Sequence, residues 1–390
     1  MHSIRSTSAD ASIGRKPVTL RSDKFQSGRT MALSSGSNTG TLEDLVVSTL
    51  ALLGQFLTSV SPDSSSTTVQ HIDDAPNPLK VLNDSAKLVK AHTTKLSLLA
   101  INKPFTPSAI GKVVKELAST CLPAMMGAVQ ICEQEKAIWG SMMGKEVQAR
   151  VRRVWRELEM LLKEVLSIAA GGTGNARRDS LSSTGVVWES CDALIELDTL
   201  GLGGLALQKA QQYRETIKDA ISELQEWSEG DDLATEGHSD TLLDPTDEGV
   251  DGDVDSIDDI FNAANSMPAN RPDLKDIVEE ADSKLKKVVI LFNALVKRRI
   301  SMHEKASAAD ASVEARVMKL DKVMSHLRRI PFQVDEMASV LYDLDADGAK
   351  LVLRKCLGEA LSAGKLMRTD WDDNVDGFTP WLEKWEAAIS

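Results

Sequence analysis

From Val147 the chain sets apolar residues at Val151, Val154, Leu158, Leu161, Val165 and Ile168, in alternating steps of four and three. Such steps place every one of these side chains on a single stripe of an α-helix. A strand, whose faces alternate every second residue, would scatter them to both sides. The same rhythm runs through Leu79, Leu82, Ala86, Val89, Thr93, Leu96 and Ala100, and again through Ile110, Val114, Leu117, Cys121, Ala124, Ala128 and Ile131. It returns at Leu274, Ile277, Ala281, Leu285, Val288, Phe292 and Leu295, then at Val313, Val317, Leu320, Met324 and Leu327. No sustained period-two run competes with it, so the sequence predicts an all-α fold. Proline and glycine breakers, such as Pro104, the Gly171–Gly174 run and Pro331, interrupt the stripes repeatedly. A continuous coiled coil would not tolerate them, and helices folded back as two antiparallel helix bundles would.

Boundaries come from charge. From Glu229 to Asp259 there are 13 acids and no base, and the remaining 45 acids balance the 45 bases, so this stretch alone accounts for the net charge of −13. A self-repelling run of this kind cannot bury enough apolar surface to offset its ordering entropy. The expected organisation is a basic Ser/Thr-rich disordered tail over 1–40, an N-terminal helical domain over 41–228, a disordered acidic linker over 229–271 and a C-terminal helical domain over 272–390. A mitochondrial transit peptide would share the composition of the tail, but it requires an amphipathic face that the tail lacks. Thr41, with Asp44 three residues on, predicts the first helix start. The apolar run from Leu45 to Val60 is too short and too interrupted by polar residues to cross a bilayer comfortably, so it reads as a buried bundle helix. A short helix from Val186 to Leu197 precedes a longer one that carries Tyr213, Ile217, Leu224 and Trp227. Pro123 predicts a kink and Pro331 a break.

Candidate chemistry is sparse. The four cysteines (Cys121, Cys132, Cys191, Cys356) lack paired spacing and read as free thiols. The six histidines show no metal-ligand spacing, so no metal and no cofactor are expected. Asp343, Asp345, Asp347 and Gly348 open like a calcium loop, but Arg354 stands where the closing carboxylate belongs. Gly171–Arg177 follows a helix and lacks the Gly-Lys-Ser/Thr ending of a phosphate loop. Arg150, Arg152, Arg153 and Arg156 form a candidate basic contact face. The apolar stripe runs straight through them, as it would not in a helix that enters a DNA groove, so no direct DNA binding is expected. The acids of 229–259 could dock on that face and shield it. With no nucleophile beside a base, an enzyme would require a polar, ligand-sized cavity assembled between helices.

One block is specific. Thr184-Gly185-x-Val187-Trp188-Glu189-x-Cys191-Asp192, with the later helix end Ile221-Ser222-Glu223-Leu224, resembles the cyclin-D-interacting protein family (GCIP, cyclin-D-binding protein). The stretch His92–Leu98 (HTTKLSL) is similar to the N-terminal domain of that family. Val334-Asp335-Glu336-Met337-Ala338 through Tyr342, with Trp381-Leu382, is similar to its C-terminal domain. The resemblance covers most of 80–228 and 271–390. It implies talin/vinculin-like helical bundles and a non-enzymatic protein that binds D-type cyclins and helix-loop-helix transcription regulators, in cytoplasm and nucleus. Gly185, Val187, Trp188, Glu189, Cys191 and Asp192 are expected to serve structure before contact, with the tryptophan and cysteine in the core. The alternative is a cytoskeletal or adhesion-type adaptor on the same architecture. No membrane span is expected, and self-association as a homo-oligomer stays open.

Overall fold

The computed structural model describes residues 37–61, 75–170, 176–236, 267–268, 270–305 and 313–389, and among them every regular element is helical and none is a strand. In order these are α1 (Ser37–Ser59), α2 (Pro78–Ile101), α3 (Pro107–Glu116), a π-turn (Leu117–Cys121), α4 (Leu122–Gln134), α5 (Lys136–Ala169) and α6 (Ala176–Glu236). Then follow α7 (Pro272–Arg298), a 3-10 turn (Ile300–Lys305), α8 (Val313–Tyr342), α9 (Ala346–Leu366) and α10 (Phe378–Ile389). The all-α expectation holds.

Several ends and joins differ from the sequence reading. The first helix is already formed at Ser37, so Thr41 does not cap it. Its buried side is a single stripe, Leu42, Val46, Thr49, Leu53 and, past its end, Val60, while Val47 is 51% exposed. The 18-residue window Leu42–Ser59 has a mean hydropathy of 1.2 and is 22% buried, so by length and composition it is one helix apolar enough to cross a membrane. The same helix packs on α3 and α5, with Phe56 lying 5.4 Å from Trp155 between ring centroids. It is a half-covered helix rather than a fully buried one. Asn77 caps α2 by accepting from the N–H groups of Leu79 (2.9 Å) and Lys80 (3.2 Å) ahead of Pro78. The expected kink at Pro123 appears as the π-turn just before it, where one extra residue relieves the crowding that a ring without an N–H imposes. Pro331 does not break α8: it lies inside the helix, and Leu327, Ile330, Pro331 and Val334 all stay buried along its stripe. Packing on both sides of the proline outweighs one lost backbone bond.

Two apolar cores account for the interior. The first joins α1 to α5 with the part of α6 up to Leu205, around Trp155, Leu117 and Val151. The second joins α6 from Ala206 onward with α7 to α10, around Phe292, Leu327 and Phe378. The cores therefore part within α6, beside Gly201, whereas the charge pattern had suggested 229–271. Of that expected linker, 229–236 continue α6, and Met267 is buried with its N–H donating to Trp227 O at 3.0 Å. Trp227 packs edge-on against Tyr342 at 5.3 Å, and this anchor lets the helix propagate into the first acids. Residues 237–266 and residues 1–36 lie outside the described residues.

Two glycines turn the chain at the seam between the cores. Gly201 breaks α6 with φ 59° and ψ −169°, and Gly140 breaks α5 with φ 71° and ψ 160°. Both conformations fall in the region that only glycine enters readily. After Gly140 the helix restarts, and its freed N–H groups at Ser141 (2.5 Å) and Met142 (3.1 Å) donate to the Asp321 carboxylate on α8. The second unit thus caps a helix of the first. A Cβ on Gly140 would lie 3.0 Å from Asp321 Oδ1 and 3.2 Å from Val317 Cγ1.

The far end of the second unit is clamped by Arg299, whose side chain is 1% exposed. Its Nη1 and Nη2 donate to the two Asp376 oxygens at 2.7 Å each, its Nε donates to Met367 O at 2.9 Å, and its guanidinium lies 4.4 Å from the Phe378 centroid. Hydrogen bonding from Arg299 holds the Asp376 carboxyl at about 2, below its ordinary 3.8, against a smaller opposing effect of burial.

Two outcomes follow from these contacts. In urea unfolding of the full chain, Gly201→Ala and Gly140→Ala each lower stability by about 1–3 kcal/mol. Gly185→Ala, in a helix with open space at the Cβ position, raises it by up to about 1 kcal/mol; equal stability of Gly201→Ala and wild type would contradict the seam geometry. Because Asp376 is depressed in the folded state, its contribution is complete above pH 3.8 and is lost as pH falls toward 2. The unfolding midpoint of wild type should drop across that window, and that of Asp376→Asn, already lowered at neutral pH, should drop less.

Candidate interaction surface

The family-like block occupies the first half of α6, where residues three and four apart share a face. Val187 and Cys191 point into the first core and are 0% exposed. Burial pushes the Cys191 thiol up to about 12, and those of Cys121, Cys132 and Cys356 to about 11, 12 and 12, so all four remain thiols. Ser190 is buried, and its hydroxyl donates to Val186 O at 2.9 Å. Trp188 goes the other way and is 37% exposed. That corrects the expectation that this tryptophan belongs to the core. The heptad phase set by Val187 and Cys191 turns residue 188 outward, onto the stripe that also carries Gly185 and Asp192.

The remaining block residues tie α6 to its neighbours. Asn83 Nδ2 donates to Asp198 at 2.7 Å, Lys90 pairs with Asp192 at 2.5 Å, and the Ser97 and Thr184 hydroxyls are hydrogen-bonded. Rising numbers on α2 meet falling numbers on α6, so the two helices run antiparallel. On α2, Leu88 (45%) and Leu98 (55%) are also exposed. On α6 the exposed tryptophan lies beside charged side chains such as Glu189 and Asp192, the mix from which binding hot spots are built.

The arginines of α5 do not form one free basic face. Arg150 is turned inward, where Nε donates to Glu146 Oε1 at 2.7 Å and Nη1 donates to Ala193 O and reaches Glu196 at 3.3 Å. Arg153 pairs with Glu189 at 2.9 Å. Arg152 is half-buried with Nε lacking a hydrogen-bond partner, and Arg156 is exposed. Positions 150 and 153 share the side of α5 that faces α6, so tertiary contact neutralises half of the expected patch. The acids that would have shielded it lie mostly outside the described residues.

Between α5 and α6 these pairs ring a cleft of about 350 Å³, completed by Lys209 and Gln208 from beyond Gly201. Burial would raise the Glu146 carboxyl, but hydrogen bonds from Lys209 and Arg150 hold it below its ordinary value. Its acids are bound to its bases, and no histidine or cysteine lines it, so the cleft offers polar contacts and no poised proton donor or nucleophile. Sequence patterning gave no signal for it, because Lys209 and Arg150 meet only through the break in α6. Among the described residues no group of three or more His, Cys, Asp or Glu side chains is placed to hold a metal ion. In the loop that opens like a calcium site, Asp345 instead caps α9, accepting from Gly348 N–H at 2.9 Å.

Comparison with known proteins follows this geometry closely. Residues 81–230, from α2 through most of α6, match the family described as Grap2 and cyclin-D-interacting, N-terminal. An uncharacterised protein of Schizosaccharomyces pombe is 27% identical over 311 residues, covering 79% of this chain and 83% of its own length. No solved structure matches the chain. The matched segment contains the antiparallel α2–α6 pair, the α5 arginines and the Trp188 block, so this part of the chain is similar to the N-terminal domain of the Grap2 and cyclin-D-interacting family.

Proposed function

We propose that this chain is a non-enzymatic regulator of the cell cycle or of transcription, working in nucleus and cytoplasm by binding a cyclin or a helix-loop-helix-type transcription regulator. The observation that carries the reading is the coincidence of the family match with the exposed Trp188 on α6. A tryptophan turned partly out of a helical core offers an apolar anchor for an amphipathic partner helix. Glu189 and Asp192 are already held by Arg153 and Lys90, which fixes the rim of such a surface before a partner arrives. Direct reading of DNA forms no part of this proposal, since Arg150 and Arg153 are engaged within the protein.

Purified full-length chain should bind a D-type cyclin or a helix-loop-helix regulator, and Trp188→Ala should weaken binding at least tenfold, about 1.4 kcal/mol. Its unfolding midpoint should fall only modestly, because the side chain is 37% exposed, so affinity is compared in the folded fraction. Val187→Ala is the contrasting variant: it lowers stability by roughly 1–3 kcal/mol while sparing affinity in the folded fraction. Undiminished binding by Trp188→Ala would remove this surface from the interaction, and no binding of either partner class would refute the reading.

A further inference from the structure

A second cleft, of about 380 Å³, opens across the seam where the restarted α5, the second half of α6 and α8 meet. We infer that it is a binding site for a phosphomonoester group. Lys145 reaches it from α5 in the first unit, and Lys322 and Arg328 reach it from α8 in the second. All three are exposed, and no ion pair or hydrogen bond joins them to any described residue. The negative charge of the cleft, in contrast, is committed. Glu146 is held by Lys209 and Arg150 at 2.7 Å each, and Asp321 is occupied by the N–H groups of Ser141 and Met142. Three unpartnered cations therefore converge on one concave place, drawn from two helices and both units.

Like charges drawn together on a folded scaffold repel until an anion arrives, so the site favours a ligand that carries more than one negative charge. A phosphomonoester is close to a dianion at neutral pH and offers three strong acceptor oxygens. The guanidinium fork of Arg328 matches phosphate geometry, and the two ammonium groups supply point charges beside it. A carboxylate would bring one charge to three cations. Half-buried Tyr213 lies on the wall, and its hydroxyl has no hydrogen-bond partner among the described residues; burial lifts its pKa further above the ordinary 10, so it stays a neutral donor. Met142 and Met324 line the rest and give the ester-linked carbon group an apolar place to rest. The cleft has the size of small-ligand sites. It shares no lining residue with the outer surface around Trp188, so this inference stands apart from the proposed partner surface.

The test is isothermal titration of the full chain with O-phosphoserine, with a phosphoserine peptide and with its unphosphorylated counterpart, against sodium sulfate and sodium chloride at matched ionic strength. Saturable binding of the phosphate probes is expected. Lys322→Gln/Arg328→Gln and Lys145→Gln should each weaken it at least tenfold, while Arg156→Gln, an exposed arginine outside the cleft, changes it less than twofold. All of these are surface changes that leave the thermal unfolding midpoint near wild type without ligand. A phosphopeptide bound more than tenfold tighter than O-phosphoserine identifies a phosphorylated protein segment as the source; equal affinity identifies a free phosphate ester, and either result supports the site. Absence of saturable binding, equal binding by all variants, or chloride as effective as phosphate would each overturn it.

Discussion

The seam at Gly140 and Gly201 governs how the rest of this chain is arranged. Each glycine adopts a backbone conformation closed to other residues at low energy; Gly201 lies close to where α6 passes from one apolar core to the other, and Gly140 lies where α5, which stays in the first core, meets α8 of the second unit. Because α6 continues through its break, the two cores share one element instead of hanging on a linker. Asp321 completes the join by giving α5 the cap that its own sequence lacks. A carboxylate at a helix N-terminus gains from the unpaired N–H groups and from the helix dipole together. Contact between the two units is therefore specific rather than a matter of apolar surface alone.

The same arrangement decides where charge is available. On the α5 side that faces α6, Arg150 and Arg153 meet Glu146, Glu196 and Glu189, and the local field largely cancels. Around the corner of the seam, the acids are consumed by a lysine and by backbone N–H groups, and three cations are left over. Two neighbouring clefts with similar residue types thus differ in character, one internally balanced and the other short of negative charge. The exposed Trp188 lies elsewhere again, on the first half of α6. Glu146, which lines both clefts, is held below its ordinary range by hydrogen bonds from Lys209 and Arg150.

How much of this could be read from the chain alone varies with the range of the interaction involved. The 4-3 stripes gave the helical class and most core positions, from Val147 to Val165 and from Leu274 to Leu295, because periodic burial is a local pattern. They misjudged α8, since the propensity argument at Pro331 ignored the packing of Leu327 and Val334 on either side. They placed the division of the chain by composition, at the acidic run, although the cores part at Gly201. A lone glycine in an apolar stretch gives no sign of the φ it will adopt. Trp188 was assigned inward by residue type, while the phase set by Val187 and Cys191 would have turned it outward had the stripe been followed through the block.

The sequence by itself determined that the chain is helical, which faces of its helices are apolar, and which family it resembles, because each of these is carried by residues within one helix or one short block. Only the tertiary structure decided which arginines are neutralised, which carboxylate caps which helix, and that Lys145, Lys322 and Arg328 gather beside one cleft. Those outcomes depend on side chains far apart along the chain, from Arg153 and Glu189 to Ser141 and Asp321, meeting in space, and Coulomb and hydrogen-bond energies are set by distance in space, which no local pattern along the chain encodes.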